Sequence, residues 1–517
     1  MSIKTYTDAV DPALAPQSEP LPGREAAMAE NHAGGFSFVV DDWTRLDRFL
    51  VLGSDAPTYY ASARKMTIEN AGCVTRLLAV DGPRVVRTLV EVSTAGRAPR
   101  NDPAIFALAL AMKRGDDATR KAAASAVPAV CRTGTHLFQL ATAVQALGGW
   151  GRGTKRAFST WYTGQDEADL VYQVMKYQQR EGWSHRDVLR LCKPAGYGPE
   201  SRRGALFRRA TRGWDGIGEA PHPDEVLARL WAFERAKTAD VAKTCRLIQD
   251  YRLPRECVRT DALNDRATWD ALLGDGRAGM PLGALVRNLA KMTAVGLLDP
   301  MSDATARVIA RLQDADGIRK ARLHPLALLV ALRVYQQGHG EKGSLSWSPI
   351  AQVVDALDGA FYAAFGAVVP TGKRWLLGLD VSSSMSMGEV AGMTGITPRV
   401  GSAAMALVTA ATEARHECIG FTGHGQVTQL DISASMRLDD VVRRISNLPF
   451  GATDCEIPML YALQENREVD VFVVYTDNET WEGSVHPAIA LRKYRETTGI
   501  PAKLIVVGMT ATEFSIA

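Results

Sequence analysis

The sequence predicts two architectures in succession: an α solenoid over residues 23–368, after a flexible tail at 1–22, and a doubly wound α/β domain over 369–517. Three observations predict them. From about residue 40 to 365, apolar positions recur at intervals of three and four, as in Leu282, Leu285, Val286, Leu289 and Met292, the spacing of one helix face. After 338–347 (GHGEKGSLSW) the pattern changes to short apolar runs alternating with helical segments. The charge divides at the same place. From Lys373 onward 12 Lys and Arg face 17 Asp and Glu, leaving 48 against 40 in the preceding 372 residues. A basic body and an acidic end imply different partners, and 517 residues exceed what one core holds.

In chain order, the first 22 residues are Pro-rich and carry no basic-then-apolar leader; they read as a tail. Helix after helix follows, separated by breaks such as GSDAPT, TAGRAPRNDP and DGRAGMP. Consecutive helices without intervening strands favour stacked pairs over one compact bundle. No strict period is present, so the repeats are degenerate. Strands are predicted at 374–380 (RWLLGLD), 416–422, 427–432, 469–477 (VDVFVVYTD) and 502–508. Helices fall at 401–414, 438–445, 457–464 and 487–497. Continuously apolar strands between helices indicate a mainly parallel sheet covered on both faces.

Composition excludes several classes. The longest apolar runs, 326–332 and 469–474, are far shorter than a membrane span. Seven cysteines, odd in number and never spaced CxxC, argue against a disulfide framework and a structural zinc site, and for a reducing cytoplasm.

The run LLGLDVSSSM (376–385) ends a buried strand in a carboxylate and hydroxyls. In doubly wound sheets ligands bind at the carboxyl ends of strands. Asp380, Ser382 and Ser384 can present three oxygens from one loop, with Thr453 in FGATDCEIP and Asp477 ending VFVVYTD. Oxygen-only ligands suit a hard cation such as Mg²⁺, and the absence of histidine or thiol disfavours zinc. DxSxS alone is more often a helix cap; the two further groups at strand ends tip the balance. No GxSxG elbow accompanies the serines, and no triad forms around His416 or His424. In this order the five residues resemble the metal-ion-dependent adhesion site of von Willebrand factor A domains. The resemblance implies direct metal contact by Ser382, Ser384 and Thr453. Asp380 and Asp477 would act through water or orient the ligands, and one position would stay open for a partner's acid.

Three basic stretches mark the helical body: 131–162, 175–214 and 251–293. They interleave Lys and Arg with Trp150, Trp161, Tyr162, Tyr177, Trp183 and Trp214. Arg287 and Lys291, four apart with Asn288 beside them, form a polar ridge opposite a leucine stripe. Such stretches fit nucleic-acid recognition. Taken alone, each stretch is more often a solvated helix face over core tryptophans, and the residues by themselves leave the choice open.

The motifs PGREAAMAENHAGGFSF, FLVLGSDAPTYYAS, CRTGTHLF, GGWGRGTKRAFSTWY, KYQQREGWSHRDVLRL, MPLGALVRNLAKMT and RLHPLALLVAL, followed by the metal motif, resemble the Ro autoantigen family across nearly the whole chain. In that family a TROVE module precedes a von Willebrand A domain. The resemblance implies HEAT-like repeats closed into a ring. It also implies binding of small noncoding Y RNAs on the outer basic surface, and of single-stranded 3′ ends of misfolded or precursor RNA in a central hole. It assigns outer-surface contact to the region of Lys176 and Arg180 beside His185. The segment RLCKP places Lys193 where members often carry a further histidine. Thr133, His136, Arg287, Asn288 and Lys291 are the candidates for the hole, although for His136 alone a buried structural role is the commoner reading. CVRTDAL after YRLPRE departs from the family pattern, and no site is carried there. The chain stops soon after KLIVVG, where the family continues into another strand, so the sheet edge there is expected to be less protected.

The expectation is therefore a cytoplasmic, monomeric RNA-binding scaffold without catalysis, acting in RNA quality control or processing beside a 3′-exonuclease, with Mg²⁺ as its cofactor and no membrane contact. The rivals are a metal-dependent protein-interaction scaffold acting through the A domain, and a hydrolase for which no general base can be placed.

Overall fold

The computed structural model describes residues 4–5, 16–31, 34–53, 71–98, 100–195, 198, 201–213, 220–275, 279–340, 343–390, 393–423, 425–448, 451–477, 482–509 and 514–515. The elements begin with β1 (Lys4–Thr5), β2 (Met28–Glu30) and β3 (Phe36–Val39). Helices α1 (Asp42–Leu52), α2 (Gly72–Ala95), α3 (Asp102–Arg114), α4 (Asp117–Val130), α5 (Gly134–Ala146), α6 (Arg152–Thr163) and α7 (Glu167–Lys176) follow. A hairpin, β4 (Gln179–Arg180) and β5 (Trp183–Ser184), leads into α8 (His185–Cys192), α9 (Arg202–Arg212) and α10 (Glu225–Ala236). Next come α11 (Val241–Tyr251), α12 (Arg266–Leu273), α13 (Leu282–Ala294), α14 (Asp303–Gln313), α15 (Ala315–Ala321), α16 (Pro325–Gln336) and α17 (Ala351–Ala363). The last part runs β6 (Arg374–Asp380), α18 (Pro398–Thr412), β7 (Arg415–Phe421), β8 (Gln426–Leu430), α19 (Leu438–Ser446) and α20 (Ile457–Gln464). It closes with β9 (Val471–Thr476), α21 (Pro487–Thr498), β10 (Lys503–Gly508) and β11 (Phe514–Ser515).

Two compact units form. One is helical, residues 42–53 and 71–308; the other combines the described residues of 4–41 with those from 309 onward. The first strand of the α/β part, β6, begins at Arg374, and the unit that contains it already takes in the helices from residue 309 onward. Within it, α16 and α17 are bonded to the region around α19: Arg333 pairs with Asp439 (2.9 Å), Arg437 with Asp358 (2.9 Å), and the Leu438 N–H donates to the Tyr362 hydroxyl (2.9 Å).

In the helical unit, side chains repeatedly cap helix N-termini. Asp116, Thr133, Asp166, Ser201, Asp224, Asp240 and Asp265 accept from the first free backbone N–H groups, and Ser184 with Asp187 closes a capping box. Each cap is worth about 1 kcal/mol. Helices pack mainly on near neighbours in sequence (α2 on α3 and α4, α3 on α4 and α5, α4 on α6, α6 on α8, α8 on α9, α10 on α11, α11 on α12). That is the neighbour-to-neighbour packing of a solenoid. Large rings fill the seams: Phe138, Phe158, Trp161, Tyr162, Phe233 and Trp269 are buried.

The second unit is built on a six-stranded sheet of order β1-β8-β7-β6-β9-β10. Strands β7, β6, β9 and β10 are parallel, while β8 pairs antiparallel with both of its neighbours, β7 and β1. Leu376, Phe472 and Val474 face Leu460, Leu491 and Tyr494 of α20 and α21. Strand residues alternate between faces, so Leu377, Leu379, Val473 and Tyr475 point the other way, where Tyr475 meets Thr409 of α18. Gly378 is required: a Cβ there would sit 2.6 Å from Pro458 Cγ. The chain leaves β6 between β7 on one side and β9 on the other, the topological switch point where such sheets hold ligands.

Two expectations are corrected. Residues 16–22 of the expected tail are packed: Gln17 and Leu21 are buried, and Gln17 donates to Val485 O (3.4 Å) while its own N–H reaches Gly483 O (3.2 Å). Residues 4–5 add a strand to β8, and 6–15 lie outside the described residues. At the other end, a strand does follow β10, but β11 pairs with β3 in a separate small sheet (Phe514 opposite Val39) rather than extending the main one. Strand β10 stays at the edge of the main sheet, with Ile505 43% exposed.

Candidate metal cup and candidate nucleic-acid interface

Asp380 ends β6 fully buried. Its Oδ1 accepts the Ser382 N–H (2.8 Å), and its Oδ2 accepts the hydroxyls of Thr476 (2.8 Å) and Thr453 (3.4 Å). The Ser382 and Ser384 hydroxyl oxygens lie 3.1 Å apart. Asp477 follows β9 and is 1% exposed. Burial, and then the charge of Asp477, push the Asp380 carboxyl up to about 6. Two buried carboxylates beside three hydroxyl oxygens form an oxygen-only cup. The raised Asp380 is what unneutralised negative charge does in a low-dielectric pocket. The residues thus fit a hard cation. Among the described residues no group of three or more His, Cys, Asp and Glu could hold a metal; this cup differs because hydroxyls supply most of its donors.

Three supports of the cup were not read from the sequence. Thr476 bonds Asp380 directly. The buried Arg399 guanidinium, on the first turn of α18, donates to Ser382 O (2.9 Å) and Val381 O (3.3 Å), fixing the serine loop. Glu456, 2% exposed, accepts the N–H groups of Ser484 (3.0 Å) and Val485 (2.6 Å). It ties the Thr453 loop to residues 482–486. Burial, and then the charge of Glu456, push the carboxyl of its buried neighbour Asp454 well above the usual carboxylate range. The only signal for this pair was two acids opening an otherwise apolar helix.

The basic stretches resolve into cations tied down by carboxylates or partly buried carbonyls and cations exposed on the surface. Arg203 is half-buried and donates to Tyr162 O (2.7 Å) and Gln165 O (2.8 Å). Arg202 pairs with Asp224 (2.6 Å), and Arg209 with Glu234. Arg180, Arg186, Arg190, Lys193, Arg208 and Arg212 are exposed on the β4–β5 hairpin and the packed pair α8 and α9. Lys193 caps α8 in the left-handed region (φ 45°), with its side chain in solvent. Lys176 is half-buried; its Nζ donates to the Tyr172 hydroxyl (3.2 Å) and lies over the Tyr172 and Tyr177 rings.

His185 is corrected. It is 3% exposed, its Nδ1 lies 2.8 Å from the Tyr162 hydroxyl, and its ring packs on Phe138 and Trp161. Burial drives its pKa down to about 3, so it is a neutral ring of the core rather than an exposed cation. Thr133 spends its hydroxyl capping α5, accepting the His136 N–H (3.3 Å). His136 is half-buried beside Asn101 (3.5 Å), with burial lowering its pKa to about 4.

On α13, Arg287 is exposed, Asn288 donates to Ala284 O (2.7 Å), and Lys291 donates to Asn264 Oδ1 (2.9 Å). A cavity of about 970 Å³ in the helical unit is lined by Lys176, Arg287 and Asn288 together, with Tyr172, Arg252 and Arg255. Residues expected on two separate surfaces thus share one concavity; Thr133, His136 and Lys291 are not part of its wall.

Comparison with known proteins places the chain in a family. The description "Ro60 vWA domain" matches residues 374–517, and "TROVE domain" matches 29–219 and 252–333. Over all 517 residues the chain is 42% identical to a Deinococcus radiodurans protein, covering 94% of it. The chain belongs to the Ro60 family. That Deinococcus relative carries the name RNA-binding protein RO60. So does a Caenorhabditis elegans protein, 35% identical over 95% of this Ro60-family chain and 86% of the relative. The crystal structure of the Deinococcus radiodurans RO (RSR) protein superposes with a TM-score of 0.75 at 40% identity, over 92% of this chain and 94% of that one. The helical body and the α/β domain are therefore the TROVE and von Willebrand A-like parts of a Ro60-type fold.

Proposed function

We propose that this chain is an RNA-binding scaffold. In this reading a small structured, Y-like noncoding RNA lies on the hairpin–α8–α9 face, and single-stranded 3′ ends of misfolded or precursor RNA engage Arg287, Asn288 and Lys291. The observation that carries the reading is the exposed cation series Arg180, Arg186, Arg190, Lys193 and Arg212, running on from Lys176 on adjoining elements. Only two acids, Glu181 and Asp187, fall among residues 176–193, and Asp187 is committed to its capping box. Relatives named RNA-binding proteins support the same conclusion. Phosphate contacts supply the affinity, so binding weakens with salt. The role is positioning rather than chemistry: RNA quality control or processing, in the cytoplasm, as a monomer working with a 3′-exonuclease.

When bound, Mg²⁺ would be held by Ser382, Ser384 and Thr453, with Asp380 and Asp477 behind them, and would supply a hard positive centre for a partner's carboxylate. The cup favours a second, compatible reading in which the A domain docks an acidic protein partner.

Electrophoretic shift with a structured RNA and a 3′-tailed duplex, over a salt series with and without Mg²⁺, tests the proposal. Binding is expected to survive Mg²⁺ removal and to drop at least tenfold in the Lys176→Ala/Arg180→Ala double variant. Wild-type binding by that variant would overturn the assignment of this face. Absence of RNA binding at every salt concentration, with and without Mg²⁺, would favour the metal-dependent protein scaffold.

A further inference from the structure

We propose that Trp150 and Trp183 form a stacking platform for an unpaired base of a structured RNA, flanked by cations that hold the phosphates on either side. This rests on the RNA-binding reading and adds to it a means of telling looped or bulged RNA from a perfect duplex.

Trp161, Trp269, Trp347 and Trp375 each donate the indole N–H to an acceptor in the chain: Cys131 O, Leu263 O, Tyr335 O and Thr371 Oγ1. A buried indole ordinarily finds such a partner. The Trp150 N–H is buried and finds none among the described residues. Trp150 and Trp183 are both only half-buried, with ring centroids 5.6 Å apart and planes at 48°. Phe158 backs the pair, 4.5 Å from the Trp150 ring. The pair is thus backed by Phe158, partly exposed, and not committed to the chain's own hydrogen bonds among the described residues.

Its placement matches the cations. Strands β4 and β5 are joined by Glu181 (φ 53°) and Gly182 (φ 76°), the two left-handed residues of a tight hairpin turn. Arg180 is the cross-strand partner of Trp183, which puts both side chains on one face of the hairpin. Trp150 runs directly into the exposed Arg152, Lys155 and Arg156 of α6, and Trp183 into the exposed Arg186 of α8; these two helices pack together. A ring pair between two runs of cations is the arrangement that accepts a base by its face and the flanking phosphates by charge. A fully paired duplex keeps its bases stacked inside and offers this platform nothing but backbone.

The test measures binding of an RNA hairpin with an unpaired loop and of a blunt duplex of equal length, with 2-aminopurine in the loop. Trp183→Ala is expected to weaken hairpin binding roughly tenfold to a hundredfold, to leave duplex binding and the salt slope unchanged, and to abolish quenching of 2-aminopurine. Trp183→Phe should retain most of the affinity. Trp183→Leu, which keeps apolar packing, should match wild type in its melting temperature and Trp183→Ala in binding. Equal losses on hairpin and duplex, or none on either, would overturn the platform. If Trp183→Ala binds like wild type while Lys176→Ala/Arg180→Ala does not, the platform alone falls. If wild type binds neither RNA, the reading beneath it falls as well.

Discussion

His185 shows what a sequence motif conceals at the level of a single side chain. GWSH places it beside exposed cations, yet it shares the phase of Val188, Leu189 and Cys192, all buried on α8. That helical spacing was legible and outweighs adjacency in the chain. The consequence is a proton linkage. A histidine with a folded pKa near 3 and an unfolded value of about 6.5 binds its proton only on unfolding across that interval. Stability is therefore unaffected above about pH 6.5 and declines as the pH falls below it, by about 2 kcal/mol at pH 5. Denaturant titrations at pH 7 and pH 5 should show His185→Gln losing less stability between the two than wild type does. Arginines divide in the same way. Arg203→Ala removes donors to two partly buried carbonyls and should destabilise by about 1–3 kcal/mol. Arg212→Ala should leave the unfolding midpoint within about 0.5 kcal/mol of wild type and weaken RNA binding. The sequence displayed both as one basic run; only burial separates them.

At the scale of elements, the five strands and four helices expected after 368 recur within about three residues of their predicted bounds. Parallel strands buried on both faces are written as unbroken apolar runs, and such runs are hard to misread. What escaped is short. β1, β2, β3, β4, β5 and β11 span two to four residues each, and they exist because a partner strand lies alongside rather than because of local preference. The cluster of Asp380, Ser382, Ser384, Thr453 and Asp477 was legible for a related reason: each of these residues ends a strand or sits in a loop between elements. Its supports, Arg399 and Glu456, come from helix starts that carry no motif. Gly378 exposes the tolerance of the sheet. Gly378→Ala drives a methyl into Pro458 of α20 and should lower the stability of this unit by about 1–3 kcal/mol, read as a shift in the denaturant midpoint.

For the whole molecule, net charge hides the working asymmetry: +3 overall, but with exposed cations gathered on the helical unit. If Lys176, Arg180, Arg186 and Arg190 each meet one phosphate, the logarithm of the RNA association constant should fall against that of salt with a slope of about −3. Removing two of them should flatten it by about half. None of the described helices is long and apolar enough to cross a membrane. The least legible property at this scale was which distant segments share a core. Periodicity located the change of architecture near 368, but it could not reveal that residues 16–41 and the helices from 309 onward pack with the sheet, because pairings of that kind leave no local trace.

That union also sets an order of events on the ribosome. Gln17, Leu21 and the β2–β3 ribbon emerge early, while Val485, His486 and Phe514, which they touch, are made more than four hundred codons later. The intervening helices can condense in sequence as they appear. The early ribbon must meanwhile wait, unsatisfied, for its counterpart, which makes closure of this unit the late and slow step of maturation.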